Sequence, residues 1–222
     1  MGFWRRDLME LINLISSLYQ PFECSIEGDP KDILERLPII ENVQYTCLSF
    51  AKSKVIDKFF DTYPNQKSTQ IAGIINGTPK PNSKLYEVGE VELNNPFLMT
   101  TDWLENFKGH YLIIKRSSYH DSDLIEFLRK WISGEDHLNI EAVLLISNTL
   151  RGINPESIMA EFEATKWDGK RRPRAYVYKK GYSSVWETPT DCSEFLDVER
   201  KTDGKLASVC ITHDNFTFLV WN

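Results

Sequence analysis

Cysteine and histidine are sparse in this 222-residue chain, with four of each. Cys24, Cys47, Cys192 and Cys210 lie far apart and form no CxxC pair. Three fall within strand-like alternation, so they read as buried reduced thiols and not as a metal or disulfide framework. His110, His120, His137 and His213 are equally scattered. His120 adjoins Asp121 and Asp123, but no second ligand is indicated, and all four read as ordinary polar residues. The chain has no GxSxG, HExxH or DxDxxxE cluster, and no serine has a histidine or acid placed to activate it. The stretch from Gly73 to Lys80 lacks phosphate-loop spacing, because three residues separate its glycines and Thr78 precedes a proline. No catalytic residue, metal or cofactor is therefore expected.

Long apolar runs are missing as well. No segment approaches the ~20 residues of a membrane span, so no membrane partner is expected. At the N-terminus, Asp7, Glu10 and Asn13 interrupt any signal-peptide core and no small-residue cleavage site follows. Leu8, Leu11, Ile12, Ile15 and Leu18 instead predict an amphipathic helix over 1–20. The sequons at Asn76 and Asn215 carry little weight without a secretion signal. The expected location is intracellular, cytoplasmic or nuclear. A formal net charge of −6 counts against wholesale polyanion binding.

An apolar share of 41% and an aromatic share of 12% are those of a folded chain. Across 21–165 the pattern alternates strand and helix. Phe22, Cys24 and Ile26 predict a first strand, and Asp29-Pro30 opens a short helix with Ile33, Leu34 and Leu37. Val43, Tyr45 and Cys47 form the next strand. Its helix carries Val55, Ile56, Phe59, Phe60 and Tyr63, and Pro64 stops it. Gln70 to Ile75 is a third strand; Val88, Val91 and Leu93 begin a fourth unit whose helix holds Trp103, Leu104 and Phe107. Tyr111 to Ile114 predict a buried strand, followed by a helix that Asp121 or Ser122 can cap and Gly134 ends. Ile140 to Ile146 and the helix opened by Asn154-Pro155-Glu156 make the sixth unit.

These units recur roughly every 20–30 residues, the spacing of leucine-rich-repeat-like stacks. Val88-x-x-Val91-x-Leu93 and Ile140-x-x-Val143-x-Leu145 fit the repeat core without its regular asparagine. Such alternation predicts right-handed crossovers and a mostly parallel sheet. Helices on one side or on both would satisfy it, and the alternating charges of Glu90 and Glu92 favour one solvated face. Over 166–222 the texture becomes basic and then β-rich, and Ala175 to Tyr178 is strand-like. Leu196/Val198, Leu206/Ser208/Cys210 and Phe216/Phe218/Val220 form an antiparallel meander turned at Asp203-Gly204 and Thr212–Asn215. The fold class expected is α/β: an irregular leucine-rich-repeat-like stack closed by a C-terminal antiparallel β meander.

The segment Asp123 to Gly134 resembles the nematode F-box-associated (type 2) proteins through Leu124, Phe127, Leu128, Trp131, Ile132 and Gly134. The closing stretch Arg200 to Trp221 is similar to that family's C-terminal end. The resemblance implies the substrate-recognition region of an F-box subunit of a cullin-RING ubiquitin ligase, without enzymatic activity of its own. It implies an unknown protein substrate as partner. Met1 to Gln20 does not resemble the Pro- and Leu-rich start of a family F-box. Contact with a Skp-type adaptor is thus expected only if an F-box is supplied elsewhere.

One stretch offers a binding surface on its own chemistry. Trp167, Lys170, Arg171, Arg172, Arg174 and Tyr182 combine positive charge with aromatic rings. That composition suits a protein interface, a single-stranded nucleic acid or a solvated loop. The acidic net charge counts against nucleic acid. Two further readings stay open: a small α/β enzyme or nucleotide binder whose site residues are dispersed, and an RNA-associated protein using the 166–180 patch.

Overall fold

A computed structural model describes residues 24–37, 39–40, 42–95, 100–116, 118–146, 154–178, 183, 185 and 188–221. The helix expected over 1–20 lies outside the described residues. Ten strands form the main sheet. In chain order they are β1 (Cys24–Gly28), β2 (Val43–Leu48), β3 (Ser68–Ile71), β4 (Glu90–Leu93), β5 (Tyr111–Lys115) and β6 (Ala142–Ile146). They continue with β7 (Thr165–Lys166), β8 (Leu196–Glu199), β9 (Leu206–Ile211) and β10 (Asn215–Val220). Across the sheet the order is β1-β2-β3-β4-β5-β6-β10-β9-β8-β7. The first six run parallel, and every pairing beyond β6 is antiparallel. The expected α/β stack with a C-terminal meander is therefore the fold.

Successive parallel strands that lie side by side, joined by crossovers of one hand, place their helices on one face. The helices are α1 (Pro30–Arg36), α2 (Ser53–Thr62), α3 (Thr100–Asn106), α4 (Asp121–Ser133) and α5 (Pro155–Ala160). Consecutive helices touch within this layer: α1 with α2, α3 with α4, α4 with α5. Between β3 and β4 the crossover holds a 3-10 turn, Lys84–Glu87, in place of an α-helix. The main apolar core lies between sheet and helices, running from Ile26 to Val220. The repeat-like positions Val88, Val91 and Leu93 are buried there, as are Ile140, Val143 and Leu145.

Local chemistry sets the helix ends. Asp29 caps α1, its Oδ1 accepting from the Lys31 amide at 2.8 Å, with Pro30 at the first position. Asn154 caps α5 in the same way, accepting from Ser157 N at 3.0 Å. For α4 the cap is His120, one residue before the expected Asp121, because Asp123 Oδ2 accepts from the His120 amide at 2.8 Å. Gly134 ends α4 at φ 76°, the left-handed region that suits glycine.

Two strand expectations shift. The third strand spans Ser68–Ile71, and Ile75–Asn76 instead pairs with Ala51–Lys52 in a separate two-stranded ribbon. Gly73 marks the break: a Cβ there would lie 2.5 Å from the Phe50 amide nitrogen. The strand expected over Ala175 to Tyr178 is two residues long, Ala175–Tyr176, and pairs with Thr190–Asp191 outside the main sheet.

Candidate interaction surface

The basic stretch and the described residues after it lie as a strap on the sheet face that the helices leave bare. It starts with a turn in which Asp168 Oδ1 accepts from the amides of Lys170 at 2.8 Å and Arg171 at 3.0 Å. Gly169 sits at φ 73° in that turn. Arg172 then dives inward and is only 4% exposed. Its Nε donates to both Asp197 carboxylate oxygens at 2.8 and 2.9 Å, and Nη2 donates to the Cys192 carbonyl at 2.8 Å. The guanidinium lies 5.0 Å from the Trp221 ring centre and 5.8 Å from that of Trp167. Trp167 Nε1 in turn donates to the Arg172 carbonyl at 3.2 Å. Arg172 and Trp167 thus serve to anchor the strap, and Arg172 is not presented to a partner as its sequence context suggests.

The other arginines are paired at the surface. Arg171 bonds Glu199, and Arg174 makes a forked contact with Asp191 Oδ2 at 2.8 and 3.0 Å. Those bonds, with the Ser193 amide and hydroxyl, hold the Asp191 carboxyl well below the usual carboxylate range. Lys170 is exposed, and Tyr182 lies outside the described residues. With Arg171, Arg172 and Arg174 each matched by a carboxylate, the stretch offers little unbalanced positive field to a phosphate backbone.

Beyond the arginines, Tyr176 donates to the Val220 carbonyl at 3.1 Å, and Tyr178 shares a 2.7 Å hydrogen bond with Thr190. Cys192 is fully buried, and burial pushes its thiol up to about 11. Under this part of the strap lies a second small core of Tyr111, Ile113, Ala142 and Leu219. Tyr111 to Ile114 are consequently buried on both faces of β5. The strap's far contact is at β4, where the Ser183 amide donates to Glu90 Oε1 at 2.7 Å.

Sheet register shows why the strap lies there. One row across the bare face reads Glu27, Cys47, Gln70, Glu92, Ile113, Leu144 and Thr217. The neighbouring row reads Ser25, Tyr45, Ser68, Glu90, Tyr111, Ala142 and Leu219. Both rows are polar from β1 to β4 and chiefly apolar at β5, β6 and β10. The strap covers the apolar half, as the transfer free energy of those side chains demands. Over β1–β3 the side chains of this face are exposed or half-buried.

A cross-strand polar ladder runs from that open half to β5, by way of the buried Glu92 on β4. Cys47 Sγ donates to Gln70 Oε1 at 3.5 Å, Gln70 Nε2 donates to Glu92 Oε1 at 3.1 Å, and Lys115 Nζ reaches the same oxygen at 2.6 Å. Burial works to raise the Glu92 carboxyl, but hydrogen bonds from Lys115, Ser183 and Gln70 and the Lys115 charge hold it below its ordinary value. Burial, with Glu27 and Glu92 nearby, pushes the Cys47 thiol up, so it is a poor nucleophile. Tyr45 stands in this half with the Lys67 ammonium 6.0 Å from its ring centre.

Of the residues carrying the family resemblance, Leu124, Phe127, Leu128 and Trp131 are buried on α4, and Ile132 is half-buried. They pack on the C-terminal segment: Phe127 lies 5.2 Å and Trp131 5.1 Å from the Phe218 ring, both edge-on. The open-face residues Tyr45, Cys47 and Gln70 do not stand out in the sequence, because their signal is only strand alternation. Among the described residues no group of three His, Cys, Asp or Glu side chains could hold a metal ion. No described helix is long and apolar enough to cross a membrane. No family model, curated protein or solved structure matches the chain.

Proposed function

We propose that the chain is a protein-interaction module of the F-box-associated kind, which holds a protein for ubiquitin transfer once an F-box or partner tethers it to a Skp-type adaptor. The observation that carries this reading is the half-covered sheet face. A strap fills the apolar half, and the polar half over β1–β3 is left accessible on hydrogen-bonded strands. Such a surface suits recognition by surface complementarity, with Tyr45 as an aromatic contact. The packing of α4 on Phe216 and Phe218 adds support, since it unites the two stretches on which the family resemblance rests.

Appending an F-box to the chain and purifying it from cells tests the reading. Adaptor and cullin should co-purify only with the appended form, together with proteins not captured by the F-box alone. An appended chain that binds adaptor and cullin but brings down nothing beyond what the F-box does would reject it.

A further inference from the structure

Between α3 and α4 lies a cavity of about 140 Å³ that has His137 in its wall. That histidine is 3% exposed, and neither ring nitrogen has a hydrogen-bond partner among the described residues. The Phe107 carbonyl, at the end of α3, is near enough to act on the ring without completing a hydrogen bond. His137 also borders a second hollow, along Glu135–Ile140. Its ring faces the first, because Phe127, whose ring centre is 5.0 Å away, lines only that one. A buried imidazole with an unused nitrogen is costly unless something in the cavity supplies the partner.

The rest of the lining says what that partner is. Leu104 and Phe127 give an apolar wall. Three carboxylates border it, Glu105, Asp123 and Glu126, against one cation, Lys130. Ion pairs account for only one of the three: Glu126 takes Arg129 at 2.9 Å and Lys130 at 3.6 Å. Asp123 spends Oδ2 on the His120 amide at 2.8 Å and on Thr101 Oγ1 at 3.4 Å, but forms no ion pair among the described residues. Glu105 is exposed and has neither an ion pair nor a side-chain hydrogen bond among them.

Burial holds the His137 pKa below its ordinary value, so the ring is neutral and keeps a lone pair on one nitrogen. The unmatched groups around the cavity are therefore acceptors, the Glu105 and Asp123 carboxylates and an imidazole nitrogen. They call for a donor that carries positive charge, and they are not grouped to hold a metal ion. At ~30 Å³ for each water-sized atom, the cavity takes about four or five heavy atoms. A butyl chain ending in an ammonium fills that space, whereas an arginine side chain is longer and its head wider. We propose that this cavity binds a primary ammonium group on a short alkyl chain, its stem on Leu104 and Phe127 and its three N–H donors shared among Glu105, Asp123 and His137. The site belongs to the helix layer and not to the open half of the sheet, so it stands independently of the interaction-module reading.

Chemical shifts of the full chain, titrated with butylammonium chloride at neutral pH, test it. Saturable shifts should centre on Glu105, Asp123 and His137, and the unprotonated ring nitrogen of His137 should move upfield as it accepts a hydrogen bond. The uncharged counterpart, n-butanol, should bind about fivefold more weakly, the scale of an exposed charge pair. Glu105→Gln should shrink that difference while leaving the affinity for butanol unchanged. Butyltrimethylammonium, charged but without an N–H, should not compete. Binding of N-acetyl-lysine N-methylamide as tight as that of butylammonium would assign the site to a protein side chain, and its exclusion would assign it to a free amine. Absence of saturable shifts, shifts centred elsewhere, or equal affinity for butylammonium and butanol would overturn the inference.

Discussion

Arg172 shows how a residue that reads as a surface cation becomes a keystone. Its sequence context is basic and aromatic, and only the distant Asp197 makes it internal. Removing one partner of a buried ion pair leaves the other uncompensated, so Arg172→Ala should cost about 3–5 kcal/mol in urea unfolding. Lys170→Ala, in the same run but exposed, should change stability by less than about 0.5 kcal/mol. Equal effects of the two would refute the assignment of Arg172 as an anchor.

His137 is the second residue whose surroundings reverse its ordinary reading. It is 3% exposed at φ 61°, with its ring 5.0 Å from that of Phe127. Burial lowers its pKa below the ordinary 6.5; Asp136 and the Phe107 carbonyl oppose this, and Lys130 and Lys108 reinforce it. The folded protein thus holds a neutral imidazole, while the unfolded chain takes up a proton first as pH falls. Its contribution to stability is complete above about pH 6.5 and declines as pH drops toward the lowered folded value. His137→Asn, which tolerates positive φ, should flatten the slope of unfolding free energy between about pH 7 and 5. A slope unchanged by the substitution would place the titrating group elsewhere.

Among the elements, α4 is the most legible in the sequence, because a three-to-four-residue apolar stripe, acidic start and terminal glycine all point the same way. Its stripe does what the spacing implies: Trp131 is fully buried, edge-on to Phe218, with the Arg200 guanidinium 5.1 Å from its ring centre. Trp131→Ala should destabilise by about 3–5 kcal/mol, read from denaturant midpoints. Unaltered midpoints would mean the ring packs on nothing. The cap lies one residue earlier than the pattern suggests because His120 is a weak cap by type, and it is the Asp123 side chain that closes the turn. The third strand is shorter than its pattern, since Ala72 to Ile75 continues an apolar run while Gly73 lies against the Phe50 backbone. Ala175 to Tyr178 alternates like a sheet strand, but its rings are used to grip the strap instead.

For the whole molecule, repetition makes the architecture readable. Six strand signals in succession, five of them followed by a helix signal, predict a parallel sheet, and the terminal alternation predicts the antiparallel continuation that β10 begins beside β6. What escapes a sequence reading is the division of the bare face into a covered and an open half. That division depends on register, which lines up Gln70 with Glu92 and Ile113 across three strands. It also depends on contacts such as Ser183 to Glu90, 93 positions apart. Neither is encoded in a local window. The basic stretch draws attention for its charge, whereas the surface it leaves uncovered is built from side chains as plain as Ser25, Tyr45 and Gln70.

The most direct measurement compares the proteins captured by the F-box-appended chain with those captured by the same chain carrying Tyr45→Arg and Gln70→Arg. Both positions are partly accessible on the open half, so the double variant should keep its melting temperature within a few degrees. Selective loss of the captured proteins, with adaptor and cullin retained, is the expected result. Undiminished capture by a folded double variant would show that the open half of the sheet is not where this molecule meets its partner.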